Sequence, residues 1–248
     1  MSLLEKEKEL TKLKDQLTRE RQSLPLVEMP KSYTFIDADT NEQVTLESLF
    51  EGRPQLMIYH AMYDPSWENA CTSCTMYLDH VPPLVHLHSR DVSFAVVSRA
   101  KPEQIRGYKE KMGFDRFKWY SSNENDFNFD FHVTLPNPDG SEGEYNYRAA
   151  KDLVEKGMPW FAKGEQPGHS VFVRGGSIEE GGIGKGEKGK LYHSYSSYAR
   201  AGEALIGTFT WLDWVPLGRQ DEKLQNATGL KFRRRGEYTD KEINGQVV

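Results

Sequence analysis

A continuous apolar run at residues 55–59 (QLMIY) lies shortly ahead of the chain's only two cysteines, Cys71 and Cys74. This pairing constrains the fold more than any other feature. The run is bounded by Pro54 and reads as a buried central strand. A loop (residues 60–70) follows, and Cys71-Thr-Ser-Cys74 then opens a helix through Thr75, Met76, Tyr77 and Leu78. Two cysteines placed at random in a chain this long fall at that spacing about once in a hundred times. A secreted disulfide framework needs several scattered pairs. One close pair points instead to redox chemistry or to half of a metal site.

The rest of the pattern alternates strands and helices. Leu3, Leu10, Leu13, Leu17 and Leu24 recur at helical spacing among Lys, Glu and Arg, giving an amphipathic helix over residues 1–25 that Pro25 ends. Its stripe suits packing against the domain or a neighbouring subunit better than an independent zipper. Strands are expected at residues 33–37 and 92–97 (VSFAVV), and a helix at 102–112 with Pro at its start and Gly113 at its end. Phe127, Phe129, Phe131, Val133 and Leu135 alternate with other residues and predict a further strand. The polar segment 137–166 reads as an insertion. Residues 170–173 and 191–195 predict a hairpin across a mobile glycine-rich loop (175–189), and 198–214 a last amphipathic helix before Pro216. Residues 219–248 form a polar strap or tail. The expectation is an α/β domain spanning 26–218, with a central mixed sheet flanked by helices.

Composition narrows the function. A formal net charge of −5 gives no nucleic-acid surface. No apolar run approaches membrane-spanning length, and the charged start lacks a secretory signal, so a cytoplasmic protein is expected.

Free N–H groups and the dipole at a helix start stabilise a thiolate. Cys71 is therefore the nucleophile, and Cys74, one turn on, is the thiol that resolves a mixed disulfide. Two plainer readings stand beside this: half of a zinc site completed by His80, His86 or His88, and two inert helix cysteines. Pro82 and Pro83 interrupt the first of these.

The segments YHAMYDPSWENACTSC, VVSRAKPEQIRGYKEKMGF, SSNENDFNFDF and YHSYSSYARAGEALIGTFTWLDWVPLGRQ, with LLEKEKELTKLKDQLTRERQSLP at the start, occur in this order. Together they resemble an uncharacterised family of thioredoxin-like proteins, described as domains of unknown function or as predicted dithiol-disulfide isomerases. The resemblance implies a thioredoxin fold with Cys71 and Cys74 at the active site. It also implies a substrate-facing wall from Tyr195, Tyr198 and Arg200. The chain departs from thioredoxin itself, with Ala70 in place of Trp and Thr72-Ser73 in place of Gly-Pro. The place of thioredoxin's cis-proline falls on Pro167, or on Gly168 if the register slips by one. The segment after Pro65 does not reproduce the peroxiredoxin Pro-X-X-X-Thr-X-X-Cys spacing.

Three supporting assignments and two rejected motifs follow. Asp64, in the loop before the dithiol, is placed to take the proton of Cys74, or simply to form a turn before Pro65. His60 either faces the same pocket or is a satisfied core histidine. Trp67 caps the site or packs. Gly184 to Gly189 superficially matches a dinucleotide motif, but the residues after it read as a strand. Arg233, Arg234 and Arg235 read as solvated surface.

The expected function is thiol-disulfide oxidoreduction on a restricted substrate, with no bound cofactor or metal and with a cellular thiol as electron donor. The alternatives are a non-redox metal- or ligand-binding protein, or a small-molecule enzyme on the same scaffold. The leading helix is a route to a homo-oligomer.

Overall fold

The computed structural model describes residues 2–176, 186–220 and 232–239. The leading helix α1 (Leu3–Gln22) starts at a capping box, in which Ser2 Oγ accepts from the Glu5 amide at 3.3 Å and the Glu5 carboxylate accepts from the Ser2 amide at 2.6 Å. None of its residues is buried. The expected packing of its leucine stripe against the domain is therefore absent. Among the described residues, the Arg21 guanidinium lies over the Tyr195 ring of the body, 5.3 Å from the centroid.

After α1 come three short strands, β1 (Val27–Glu28), β2 (Thr34–Asp37) and β3 (Gln43–Thr45). The apolar run becomes β4 (Gln55–His60), and the cysteine pair lies at the start of α2 (Thr72–Asp79). Then follow α3 (Val85–His88), β5 (Val92–Ser98), α4 (Pro102–Met112) and β6 (Lys118–Ser121). Gly113 closes α4 at φ 62°, the left-handed conformation in which a residue lacking Cβ is least strained.

The strands form one eight-stranded sheet in the order β1-β12-β11-β4-β5-β6-β2-β3, where β11 is Gly168–Arg174 and β12 is Leu191–Tyr198. β4, β5 and β6 run parallel, and β11 pairs antiparallel with both β4 and β12. A parallel βαβ unit (β4, α2, β5) thus sits beside an antiparallel hairpin, which is the thioredoxin-like arrangement: an α/β fold with a mixed sheet flanked by helices.

Strand periodicity divides β4 between two cores. Leu56 and Ile58 join Phe35, Phe50 and Phe172 on one face, while Tyr59 packs with Cys74, Tyr77, Ile105 and Trp119 on the other. Burial on both faces explains why this strand reads as an unbroken apolar run.

Two expected elements differ. Residues 127–135 form no single strand. Phe127–Asp130 is a short helix, α5, followed by His132 at φ 55° and then β7 (Thr134–Leu135). The reason lies in the spacing, because residues four apart share a face in a helix as well as in a strand. Phe127 and Phe131 meet at 4.6 Å between centroids and cover the second core, while Phe129 turns out beneath Arg99 at 4.9 Å.

The last helix is also shorter than expected. Tyr198 ends β12, Ala199–Leu205 is a 3-10 helix, and α7 covers only Gly207–Asp213. Tyr198 is held in the sheet opposite Gly168, and Ala199 at φ 50° breaks any continuous helix there. Trp211 and Trp214 are 75% and 82% exposed.

Segment 137–166 carries the hairpin β8 (Glu144–Tyr145) and β9 (Arg148–Ala149), helix α6 (Ala150–Glu155) and strand β10 (Gly164–Glu165), which pairs with β7. Its Tyr145 and Leu153 form a third small core with Val133, Leu135 and Tyr198. Of the glycine-rich loop, residues 177–185 lie outside the described residues, as do most of 219–248.

Candidate active site

Cys71 is the N-cap residue of α2, with extended backbone (φ −54°, ψ 137°). Its amide donates to Met62 O at 3.0 Å, and its carbonyl accepts from the Thr75 hydroxyl at 2.9 Å. Cys71 is half-buried and Cys74 fully buried, and both are free thiols.

The two thiols differ sharply in environment. The Cys74 thiol donates to Cys71 sulfur and lowers its pKa against the opposing effect of burial; the Cys74 and Ser73 amides and the Arg234 charge add to this, bringing it to about 6. Burial pushes the Cys74 thiol up, reinforced by its hydrogen bond to Cys71 and by that neighbour's charge. The Met62 amide, 3.3 Å from Cys74 sulfur, and the Tyr59 hydroxyl work in the opposite direction. Tyr59 in turn stacks on Tyr77 at 3.9 Å, which fixes its ring beside the resolving thiol.

Beside the dithiol lies a cavity of about 520 Å³. Ser73 and Cys74 line it together with Trp67 and Pro167, and Arg200 stands at its margin with an 83% exposed side chain paired to Glu203 at 2.9 Å. The structure thus brings Trp67, Pro167 and Arg200 to the cavity that Cys74 lines.

Other expected residues lie elsewhere. His60 faces the second core, stacked on Phe127 and Phe131, with Nε2 2.8 Å from Ser170 Oγ. Burial lowers its pKa to about 3, so it is a neutral core histidine. Tyr198 is buried and donates to Phe131 O at 3.2 Å, and Tyr195 lies under Arg21 rather than at the cavity. Asp64 is a turn residue: Oδ1 accepts from the Ser66 amide at 2.8 Å and its hydroxyl at 2.6 Å.

Pro167 does not supply a cis peptide. The cis bond among the described residues is Leu135–Pro136, on the segment that pairs alongside residues 164–166.

Four residues at the site carry no signal of their own in the sequence. Glu165 is a buried carboxylate on the cavity wall, taking hydrogen bonds from Thr134 and Arg99 at 3.1 Å each. Burial pushes its pKa up to about 7 despite Arg99. His169 also lines the cavity; it is buried, neither ring nitrogen has a partner, and desolvation lowers its pKa to about 4. Tyr59 looks like any strand residue. Arg234 belongs to a run expected to be solvated, yet Nη2 donates to Ala70 O at 2.6 Å and Nε to the Tyr108 hydroxyl at 3.0 Å. Glu165 and His169 flank Pro167, the one signal that could have drawn attention to them.

Among the described residues no three His, Cys, Asp or Glu side chains converge on a metal position. His80 spends its nitrogens on Met76 O and Thr208 Oγ1, both at 2.7 Å. Among the described residues no helix is long and apolar enough to cross a membrane.

Residues 1–238 match a family described as "Bacterial protein of unknown function (DUF899)". The chain belongs to this family. No curated protein matches the sequence. Solved structures similar to this DUF899 chain include a peroxiredoxin Q from Xanthomonas campestris, at 16% identity, with 76% of this chain and 96% of that one covered and a TM-score of 0.41. The peroxidoxin BcpB from Mycobacterium tuberculosis is 12% identical, with 75% and 95% covered and a TM-score of 0.41. BsSco, a member of the Sco family of cytochrome c oxidase assembly proteins, is 14% identical, with 75% and 94% covered and a TM-score of 0.37.

Proposed function

We propose that this DUF899 protein is a thiol-disulfide oxidoreductase in which Cys71 is the nucleophile and Cys74 the resolving thiol. The observation that carries this reading is the opposite displacement of the two thiols. Cys71, at a helix start with donors around its sulfur, is brought to about 6, while buried Cys74 is pushed up. A thiolate present at neutral pH attacks, and a thiol kept protonated holds its position until the mixed disulfide forms.

The reaction balances without a bound cofactor. The Cys71 thiolate displaces one thiolate from a disulfide, and Cys74, losing its proton, displaces the other. The protein ends as the Cys71–Cys74 disulfide, and two substrate sulfurs leave as thiols. A cellular thiol donor then restores the dithiol, which suits a reducing, cytosolic setting. The exposed leucines of α1 support pairing of this helix with that of a second copy.

The test is the rate of Cys71 alkylation against pH, together with the dithiol's equilibrium with glutathione. A midpoint near 6 and a defined, reversible potential are expected. A midpoint at the ordinary thiol value of about 8.5 with no internal disulfide sinks the reading.

A further inference from the structure

The cavity beside the dithiol has the volume of a small-molecule site, which ordinarily runs about 300–1,000 Å³. Its wall is mostly apolar and aromatic: Tyr77, Trp160, Phe161 and Phe209 contribute to it, and Ile206 lies at the start of α7. Phe232, from the C-terminal segment, closes one side and packs on Phe209 at 5.3 Å between centroids.

Three of the four charged side chains on its wall are spent. Arg200 is paired with Glu203, and Glu165 is buried against Thr134 and Arg99. Lys163, also on the wall, is exposed. An anionic ligand entering this space would give up water for an apolar wall, which is unfavourable without a buried partner. One polar feature stands apart. His169 is 5% exposed and contributes to the wall, and neither of its ring nitrogens meets a partner. Both nitrogens are themselves buried, as is the unpartnered His60 Nδ1 in the second core, so the ring faces the cavity with its carbon edge.

We infer that this cavity binds the substrate of the dithiol, and that the substrate is a small, uncharged, predominantly aromatic or aliphatic disulfide rather than an anionic peptide disulfide. The inference rests on the oxidoreductase reading above and names its substrate class. Bound there, the substrate R–S–S–R lies beside Ser73 and Cys74, the residues that follow Cys71 on the first turn of α2. Cys71 thiolate forms Cys71–S–S–R and releases RS⁻, which takes a proton from solvent. Cys74 gives up its proton and attacks the Cys71 sulfur, so the second RS⁻ leaves. Two electrons pass from the dithiol to the substrate, and a thiol donor returns them.

Two measurements separate this inference from the reading beneath it. The first uses a Cys71→Ser, Cys74→Ser double variant, which performs no redox chemistry, titrated with the neutral fluorophore N-phenylnaphthylamine. One-to-one binding is expected, lost when Ile206→Trp fills the cavity; Phe161→Trp serves if that variant does not fold. The second compares oxidation of the reduced wild-type protein by neutral dithiodipyridine, anionic dithiobis(nitrobenzoate) and glutathione disulfide. Each rate is divided by that for dithiothreitol to remove intrinsic reactivity.

The normalised rate for dithiodipyridine should exceed those for the two anionic disulfides by about ten-fold or more, and the filled cavity should erase the preference. Equal normalised rates, or no dye binding while the dithiol cycles with glutathione, overturn this inference alone. Failure of all three oxidants to form the Cys71–Cys74 disulfide overturns the oxidoreductase reading and this one with it.

Discussion

Arg234 Nη2 donates to the carbonyl of Ala70 at 2.6 Å, so a residue near the C-terminus is held against the position just before Cys71. The same guanidinium pairs with Glu237 at 2.7 Å and reaches Tyr108, whose hydroxyl is 2.6 Å from Thr75 Oγ1 on the first turn of α2. The C-terminal segment is thereby tied to the helix that carries both thiols.

Removing this charge should raise the Cys71 pKa, because a nearby cation favours the thiolate. Arg234→Gln is expected to move the alkylation midpoint upward from about 6, and Cys74→Ala, which removes the strongest contributor, to move it further. Iodoacetamide rates across pH for the three proteins check this. A reversed order, or no movement in either variant, contradicts the assignment.

Glu165 ionises at about 7 in the fold against 4.5 unfolded. A carboxyl raised in this way favours the fold most below pH 4.5, and that benefit is lost as pH rises towards 7. In Glu165→Gln the decline should be shallower over this window, by up to about 1.4 kcal/mol per pH unit. Urea unfolding at both ends of the window measures it, and parallel profiles for the two proteins would refute the buried acid.

His60 has the opposite sign. Its pKa falls from 6.5 to about 3 in the fold, so its contribution is fully present above 6.5 and is lost as pH drops through that window. His60→Leu should flatten the acid side of the stability profile by about 1.4 kcal/mol per pH unit over the same range. An unchanged acid limb would mean that His60 titrates normally.

The aromatic segment after β6 offers a packing test. Phe127 is fully buried and Phe129 is not. Phe127→Ala should destabilise by about 3–5 kcal/mol and Phe129→Ala by less than half as much. A strand would place both rings on one face, so equal losses would favour it over the helical turn.

The leucine stripe of α1 supports self-association. Leu10→Lys combined with Leu17→Lys should leave the thermal unfolding of the domain unchanged, since neither residue is buried, and should shift sedimentation from dimer to monomer. A wild-type protein that sediments as a monomer removes the proposal.

Local pattern was enough to read the strand at 55–59, the helix start at Cys71, the hairpin before the last helix and the α/β class, while the thioredoxin-like fold is what the family resemblance implies. Each depends on neighbours in the chain: an unbroken apolar run, a Pro-to-Gly helix span, a cysteine pair one turn apart. The Phe127–Leu135 segment shows where such reading stops. Its alternation satisfies two periods at once, and only the sheet beneath it selects the helical turn. Amphipathic spacing predicts a helix that begins at Tyr198, but pairing opposite Gly168 keeps this residue in the sheet.

From its residues alone, this chain specified a mixed α/β fold and the two sulfurs at its centre, because helix and strand periodicity and the position of a dithiol at a helix start are local properties. Tertiary structure decided which charges and rings reach those sulfurs. Arg234 comes to Ala70 from 164 positions away, Glu165 and His169 reach the cavity through the pairing of β10 with β7 and of β11 with β4, and His60 is turned to the opposite core. Burial and electrostatics depend on distance in space, and that distance exists only once the sheet has closed.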